Sequence, residues 1–121
     1  MQACGMTAFR QQLVADASQC VPADGLSAEM AAMAEPLAVC LHAVRQAGDL
    51  VGKTVLVTGC GPIGVLTILA ARRAGAAQII ATDLSDYTLG MAARCGADML
   101  VNLTRTADPL APYTAGKGQS D

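Results

Sequence analysis

Residues 57–64 read VTGCGPIG. Three glycines and a proline interrupt two apolar runs, KTVLV before and VLTILAA after. The spacing is G-x-G-x-x-G, which does phosphate chemistry only when it follows a strand, opens a helix and lies in a βαβ unit. Gly59 then permits the tight turn, Gly61 lets a diphosphate approach the bare backbone, and Gly64 lets helix and strand pack closely. Pro62 and Ile63 begin the helix, where proline costs no hydrogen bond because first-turn amides lack intrahelical partners. Those amides point at an anion. An acid is expected about 20 residues further on, to accept hydrogen bonds from ribose hydroxyls, and Asp83 stands there. Its charge repels a 2′-phosphate, which favours NAD over NADP. The bland alternative is a tight structural turn beside a solvated strand-end carboxylate.

The surrounding sequence supplies the required context. KTVLVT (53–58) reads as a strand, PIGVLTILAARRAG as a helix over about 62–74, and QIIATD (78–83) as a second strand. A second helix starts near Ser85 or Asp86, and DMLVN (98–102) is a third strand. Arg72 and Arg73 complement the C-terminal dipole of the first of these helices, with Gly75 as its cap. Alternating strands and helices with short links imply parallel pairing through right-handed crossovers. The fold class is α/β: a partial Rossmann fold, half of a doubly wound parallel sheet in the order 3-2-1.

Upstream, TAFRQQLVADASQCV (7–21) reads as edge-strand material, with Phe9, Gln11, Leu13 and Ala15 sharing one face. Ser27 is a natural N-cap for a short helix, SAEMAAMA. Pro36 disfavours helical geometry at Glu35 and suits the first turn of a new helix, PLAVCLHAVRQAG, with Leu37, Cys40, Leu41 and Val44 on one stripe. The tail beyond Thr104 is polar and turn-rich, with one weak helical turn expected.

The chain has 121 residues, one domain's worth, and 53% are hydrophobic without counting glycine. That is high for a chain of this size, because small domains bury a smaller share of their surface. Some apolar surface therefore belongs against something outside the chain. The strand KTVLVT, at the edge of a 3-2-1 sheet, invites association, and a homo-oligomer is expected through that edge or through the VLTILAA helix. Net charge is −2, with no Trp, one Phe and two Tyr, so nucleic acid is not an expected partner. No charge falls between Lys53 and Arg72, a span near the lower limit for crossing a bilayer, about 17–25 residues. The central glycines and Pro62 make a strand, a turn and a buried helix the better reading, with no membrane partner.

The five cysteines are scattered and His42 is the only histidine. No C-x-x-C pair occurs, so a zinc site held wholly within this chain is not expected. The pattern fits reduced thiols and a cytoplasmic location. His42 falls opposite the apolar stripe of its helix and reads as a surface or interface histidine. Cys60 reads as a small filler in the turn. A second glycine-lysine run, GDLVGKT (48–54), is not a phosphate loop, since it leads into a strand rather than a helix.

"AEPLAVCLHAVRQAG", "GKTVLVTGCGPIGVLTILAARRAGA", "ATDLS" and "GADMLVN" together resemble the medium-chain, zinc-dependent alcohol dehydrogenase family, in its polyol branch. The resemblance covers about residues 8 to 121. It implies a piece of a longer enzyme, residues 1–26 being a strand and helix remnant of the catalytic domain and 27–121 a partial NAD-binding domain. It implies an NAD-dependent parent enzyme that oxidises a secondary alcohol of a polyol or sugar acid to a ketone by hydride transfer, with zinc as Lewis acid. Gly59, Gly61, Pro62, Ile63, Gly64 and Asp83 become dinucleotide contacts. Glu35 resembles the carboxylate beside the catalytic zinc; alternatively it is an exposed residue at a helix start. The family often has Arg or Lys five residues after the ribose acid, where this chain has Thr88. No catalytic residue is assigned within the chain, which is expected to be inactive alone. Two other readings remain: a nucleotide-binding or oligomerisation module without catalysis, and a zinc-free reductase of the same superfamily.

Overall fold

The computed structural model describes residues 11–105 and Ala111. After a 3₁₀ turn at Ala17–Gln19 come α1 (Ala28–Ala32) and α2 (Ala34–Gln46). Then follow β1 (Thr54–Thr58), α3 (Pro62–Arg73), β2 (Gln78–Asp83), α4 (Asp86–Arg94) and β3 (Met99–Asn102). The three strands form one parallel sheet in the order β1-β2-β3. This is the expected half-sheet, seen from its other edge. Val55 pairs with Ile79 and Val57 with Ala81. These alternate residues face the same side as Val44 of α2, Ile68 and Ala71 of α3, and Leu89 and Ala92 of α4, forming one core. Ile68 and Ile79 are fully buried, each contributing on the order of 2 kcal/mol.

Two upstream expectations are corrected. Residues 11–21 form no strand; they are exposed, and Asp16 caps the short 3₁₀ turn by accepting from Ser18 N at 2.9 Å. An alternating pattern alone makes no strand without an edge to pair with. Residues 7–10 lie outside the described residues, as does most of the tail. Glu35 is helical, inside α2, rather than an extended link before Pro36. Pro36 sits in the first turn, so its missing amide costs nothing there, and the preference of the preceding residue yields to the helix. Ser27 does cap α1, accepting from Met30 N at 3.2 Å. Of the α2 stripe, Cys40 and Val44 are buried while Leu41 is exposed.

The N-terminal ends of β2 and β3 are held by one side chain. Arg72, in the last turn of α3, donates from Nη1 to Ala76 O at 2.8 Å and from Nη2 to Gly96 O at 2.7 Å. Its Nη2 also meets Asp98 Oδ2 at 2.5 Å, and that oxygen accepts from Ile79 N at 2.6 Å. The Ile79 amide first, and then Arg72, hold the Asp98 carboxyl below its ordinary range. Arg72 thus does more than offset a helix dipole: it joins α3, β2 and the turn before β3. Replacing it with Met keeps the aliphatic stem and leaves those acceptors without their donor. Arg72→Met is expected to lower Tm by about 5–10 °C in thermal circular dichroism. A melt indistinguishable from wild type would show the clamp to be idle.

Candidate dinucleotide site

β1 ends at Thr58, and the chain reverses into α3 within three residues. Gly59 takes φ +85°, a left-handed conformation that favours glycine, and its N–H donates to Thr82 O at 2.8 Å. Gly61 is the N-cap of α3, Pro62 its first residue, and Val65 N donates back to Gly61 O at 3.0 Å. A Cβ on Gly64 would stand 1.9 Å from Gly59 O, so helix and turn touch backbone to backbone. Both glycines are thus required by the fold itself. Gly61 is different: its φ is −70°, its ψ −170°, and a Cβ there would meet nothing within 4 Å. Nothing in the chain's own packing calls for glycine at that position. The position leaves the main chain open to a group approaching from outside, which is the room that a diphosphate would need.

Asp83, at the end of β2, points into this turn. Its Oδ2 accepts from Cys60 N at 2.7 Å and its Oδ1 from Ser85 N at 2.9 Å. The Cys60 amide first, then the Ser85 amide and the Thr88 hydroxyl, hold its carboxyl down to about 2. Thr88, where the resembled family often carries a cation, also donates from Oγ1 to Ser85 O at 2.9 Å. Tyr87 is exposed beside it. Cys60 itself is buried, its Sγ 3.6 Å from Thr82 O. Burial, with the nearby Asp83 charge, pushes its thiol up, which makes it a filler rather than a nucleophile.

Six of the expected site residues therefore gather at one place: Gly59, Gly61, Pro62, Ile63 and Gly64 form the turn and first helical residues, and Asp83 closes it. α2 braces the turn, with Cys40 Sγ 3.3 Å from Ile63 O. An apolar groove of about 570 Å³ runs from Gly61 and Ile63 past Val55 and Val57 to Ala43 and Leu50. Glu35 lies apart, exposed in the first turn of α2. His42 lines a separate groove between α2 and α3 with Arg45 and Arg73. Among the described residues no group of His, Cys, Asp and Glu could hold a metal ion. No described helix is long and apolar enough to cross a membrane.

Beyond the Arg72 clamp, sequence reasoning missed two things. One is the bond from Cys60 N to Asp83, which uses a backbone amide and leaves no mark on residue type. The other is a cluster at the end of β3, where Asn102 donates to Asp86 Oδ1 at 2.7 Å and Arg105 pairs with the other oxygen. The i-to-i+16 separation of Asp86 and Asn102 carries no local signal.

A parallel half-sheet with a glycine turn at its first strand and an acid closing its second defines the dinucleotide-binding α/β class. No family model matches the chain. It is 42% identical over 114 residues to L-idonate 5-dehydrogenase (NAD(P)(+)) of Escherichia coli K12, covering 93% of this chain and 33% of that one. The crystal structure of the E. coli L-idonate enzyme superposes with a TM-score of 0.70 at 46% identity, over 74% of this chain and 26% of that one. Sorbitol dehydrogenase of Bos taurus is 46% identical over 81 residues, 67% of this chain and 23% of that one. A zinc-binding dehydrogenase from Sinorhizobium meliloti 1021, solved bound to NADP, matches with a TM-score of 0.61 at 38% identity, over 63% of this chain and 22% of that one. The chain spans about a third or less of the relatives it matches. These similarities bear out the resemblance to the zinc-dependent medium-chain alcohol dehydrogenases, polyol branch.

The folded Asp83 value, about 2, lies below the ordinary 3.8. A depressed carboxyl stabilises the fold fully above the ordinary value and loses that contribution as pH falls through the folded one. Tm should therefore drop between about pH 4 and pH 2. Asp83→Asn should flatten part of that drop and leave the share due to Asp98 and Asp86, whose carboxyls are also held low. Parallel acid melts of the two proteins that superimpose after a constant offset would contradict this.

Proposed function

We propose that this chain carries the first half of a nicotinamide dinucleotide site, in a dehydrogenase of polyols or sugar acids. One observation carries the proposal: Gly61 is bare although neither its backbone angles nor its neighbours require it. The diphosphate would lie against Gly61 and the first-turn amides of Ile63 and Gly64, which the helix leaves without intrahelical acceptors. The adenine ribose would present its hydroxyls to Asp83. Because that carboxylate stays ionised down to about pH 2, a 2′-phosphate placed there meets a fixed negative charge. NAD is therefore the proposed cofactor, whereas the L-idonate relative carries NAD(P)(+) in its name.

The similarity to L-idonate 5-dehydrogenase and sorbitol dehydrogenase supports a parent reaction in which a secondary alcohol becomes a ketone. The bound dinucleotide supplies the hydride acceptor. This chain's residues bind and orient the adenosine diphosphate part and exclude side chains from its path. The described residues do not assemble a zinc set, so they do not fit that metal by themselves, and Glu35 has no companion ligand among them. We accordingly propose residues 1–26 as a remnant of a catalytic domain, 27–121 as part of the cofactor domain, and no turnover by this chain alone. Self-association is proposed through β1, whose second edge has no strand partner among the described residues and whose Leu56 is 47% exposed.

Two glycine substitutions separate ligand binding from folding. Asn is a good N-cap and has room at position 61, so Gly61→Asn should melt within about 3 °C of wild type yet bind NADH at least about tenfold more weakly. Gly64→Ala meets the Gly59 carbonyl and should lose about 3 kcal/mol of stability. Equal NADH affinity in Gly61→Asn and wild type would remove the main support for the site. For cofactor choice and assembly, calorimetry should give tighter binding of NADH than NADPH, and sedimentation velocity should give dimers or larger species. Equal affinities would sink the first and a sharp monomer boundary at high concentration the second.

A further inference from the structure

We infer that Asp83 is a positioning residue for the diphosphate as well as the ribose acceptor, because its carboxylate fixes the Gly59–Gly61 turn through the Cys60 amide. The inference rests on the dinucleotide reading above and adds to it a coupling between two parts of the ligand.

The geometry is specific. The turn contains a left-handed glycine, a buried cysteine and an N-cap whose side-chain position is empty. Between Thr58 and Pro62 two bonds tie its amides to β2: Gly59 N to Thr82 O at 2.8 Å and Cys60 N to Asp83 Oδ2 at 2.7 Å. The first is an ordinary backbone bond. The second is charge-assisted and therefore the stronger kind. It lies one residue before Gly61, the position that faces the diphosphate. Without it the peptide between Gly59 and Cys60, which leads into Gly61, loses its orienting partner, and the cradle must be ordered at the moment of binding. Such ordering lowers affinity.

Acceptor capacity makes the two roles compatible. A carboxylate offers roughly four acceptor positions. Oδ2 uses one for Cys60 N and Oδ1 one for Ser85 N. Besides the Thr88 hydroxyl, which also meets this carboxylate, capacity remains for a sugar hydroxyl. The same group can thus hold the turn and take a ribose hydroxyl without giving up either bond.

The test uses the full chain and two ligands: ADP, and 2′,3′-dideoxy-ADP, which keeps the diphosphate but has no hydroxyl for Asp83. If Asp83 serves the ribose only, Asp83→Ala leaves the dideoxy ligand unaffected, or bound more tightly through relief of charge repulsion. The expected result is instead about a tenfold loss for dideoxy-ADP in Asp83→Ala. Asp83→Asn, which retains an oxygen acceptor for Cys60 N, should recover most of that loss but not the wild-type preference for ADP. Unchanged or tighter dideoxy-ADP binding in Asp83→Ala overturns the inference while leaving the dinucleotide reading intact. Failure of the wild type to bind either ligand overturns both. Should Asp83→Ala not fold, amide hydrogen exchange in the wild type decides. The Cys60 amide should exchange at least about tenfold more slowly than that of Gly61, and equal rates overturn the inference.

Discussion

A backbone-to-backbone contact governs this molecule. The start of α3 lies so close to the end of β1 that no atom fits between Gly64 and the Gly59 carbonyl. That closeness sets the angle at which α3 crosses the sheet, and so brings Ile68 and Ala71 down onto Ile79 and Val57 in a single core. It also aims the first turn of α3 out over the ends of the strands. The core and the anion-binding mouth are therefore consequences of the same steric fact, and a side chain at Gly64 disturbs both.

Electrostatics finishes what sterics begins. The mouth is positive by backbone geometry alone, through amides at a helix start. A carboxylate stands at its rim, where Asp83 is turned toward two amides of its own chain. The result is a surface sorted by position: donors where a diphosphate would lie, an ionised acceptor where sugar hydroxyls would lie. The buried thiol of Cys60 adds bulk and no charge, in keeping with the upward push on its titration. The apolar groove beside the turn, lined by Val55, Val57 and Ile63, carries no such pattern and reads as surface awaiting cover rather than as a polar recognition site.

Much of this was legible from residue order. Glycine, proline and β-branched residues mark turns and strands through local preferences, so β1, α3, β2 and β3 fall within a residue or two of their expected bounds. The acid closing β2 was legible because strand length fixes where it must stand. What could not be read were features that depend on who meets whom in space. The exposed course of residues 11–21 depends on whether an edge is within reach, which alternation does not encode. The helical state of Glu35 is a contest between a proline's local preference and the continuation of a helix, and the helix won. The Asp83–Cys60 bond and the Arg72 clamp involve main-chain groups, which every residue possesses and which therefore leave no compositional trace. Glu35 was read for its chemistry, yet the described residues bring it no companion.

The two ends of the sheet are built to different tolerances. At one end Arg72 reaches across to Ala76, Gly96 and Asp98 at distances of 2.5 to 2.8 Å, which ties the lengths of the α3–β2 and α4–β3 connections to a single side chain's reach. One residue inserted in either link moves a carbonyl by up to about 3.5 Å and breaks the clamp. Loop-length variation in descendants of this sequence should thus be scarce in those two links, as in the close-packed Gly59–Gly64 turn, and freer in the segments gripped by neither contact. An engineer seeking a point to splice in a tag or new ends would do best to stay clear of Gly75–Gln78 and Gly96–Asp98.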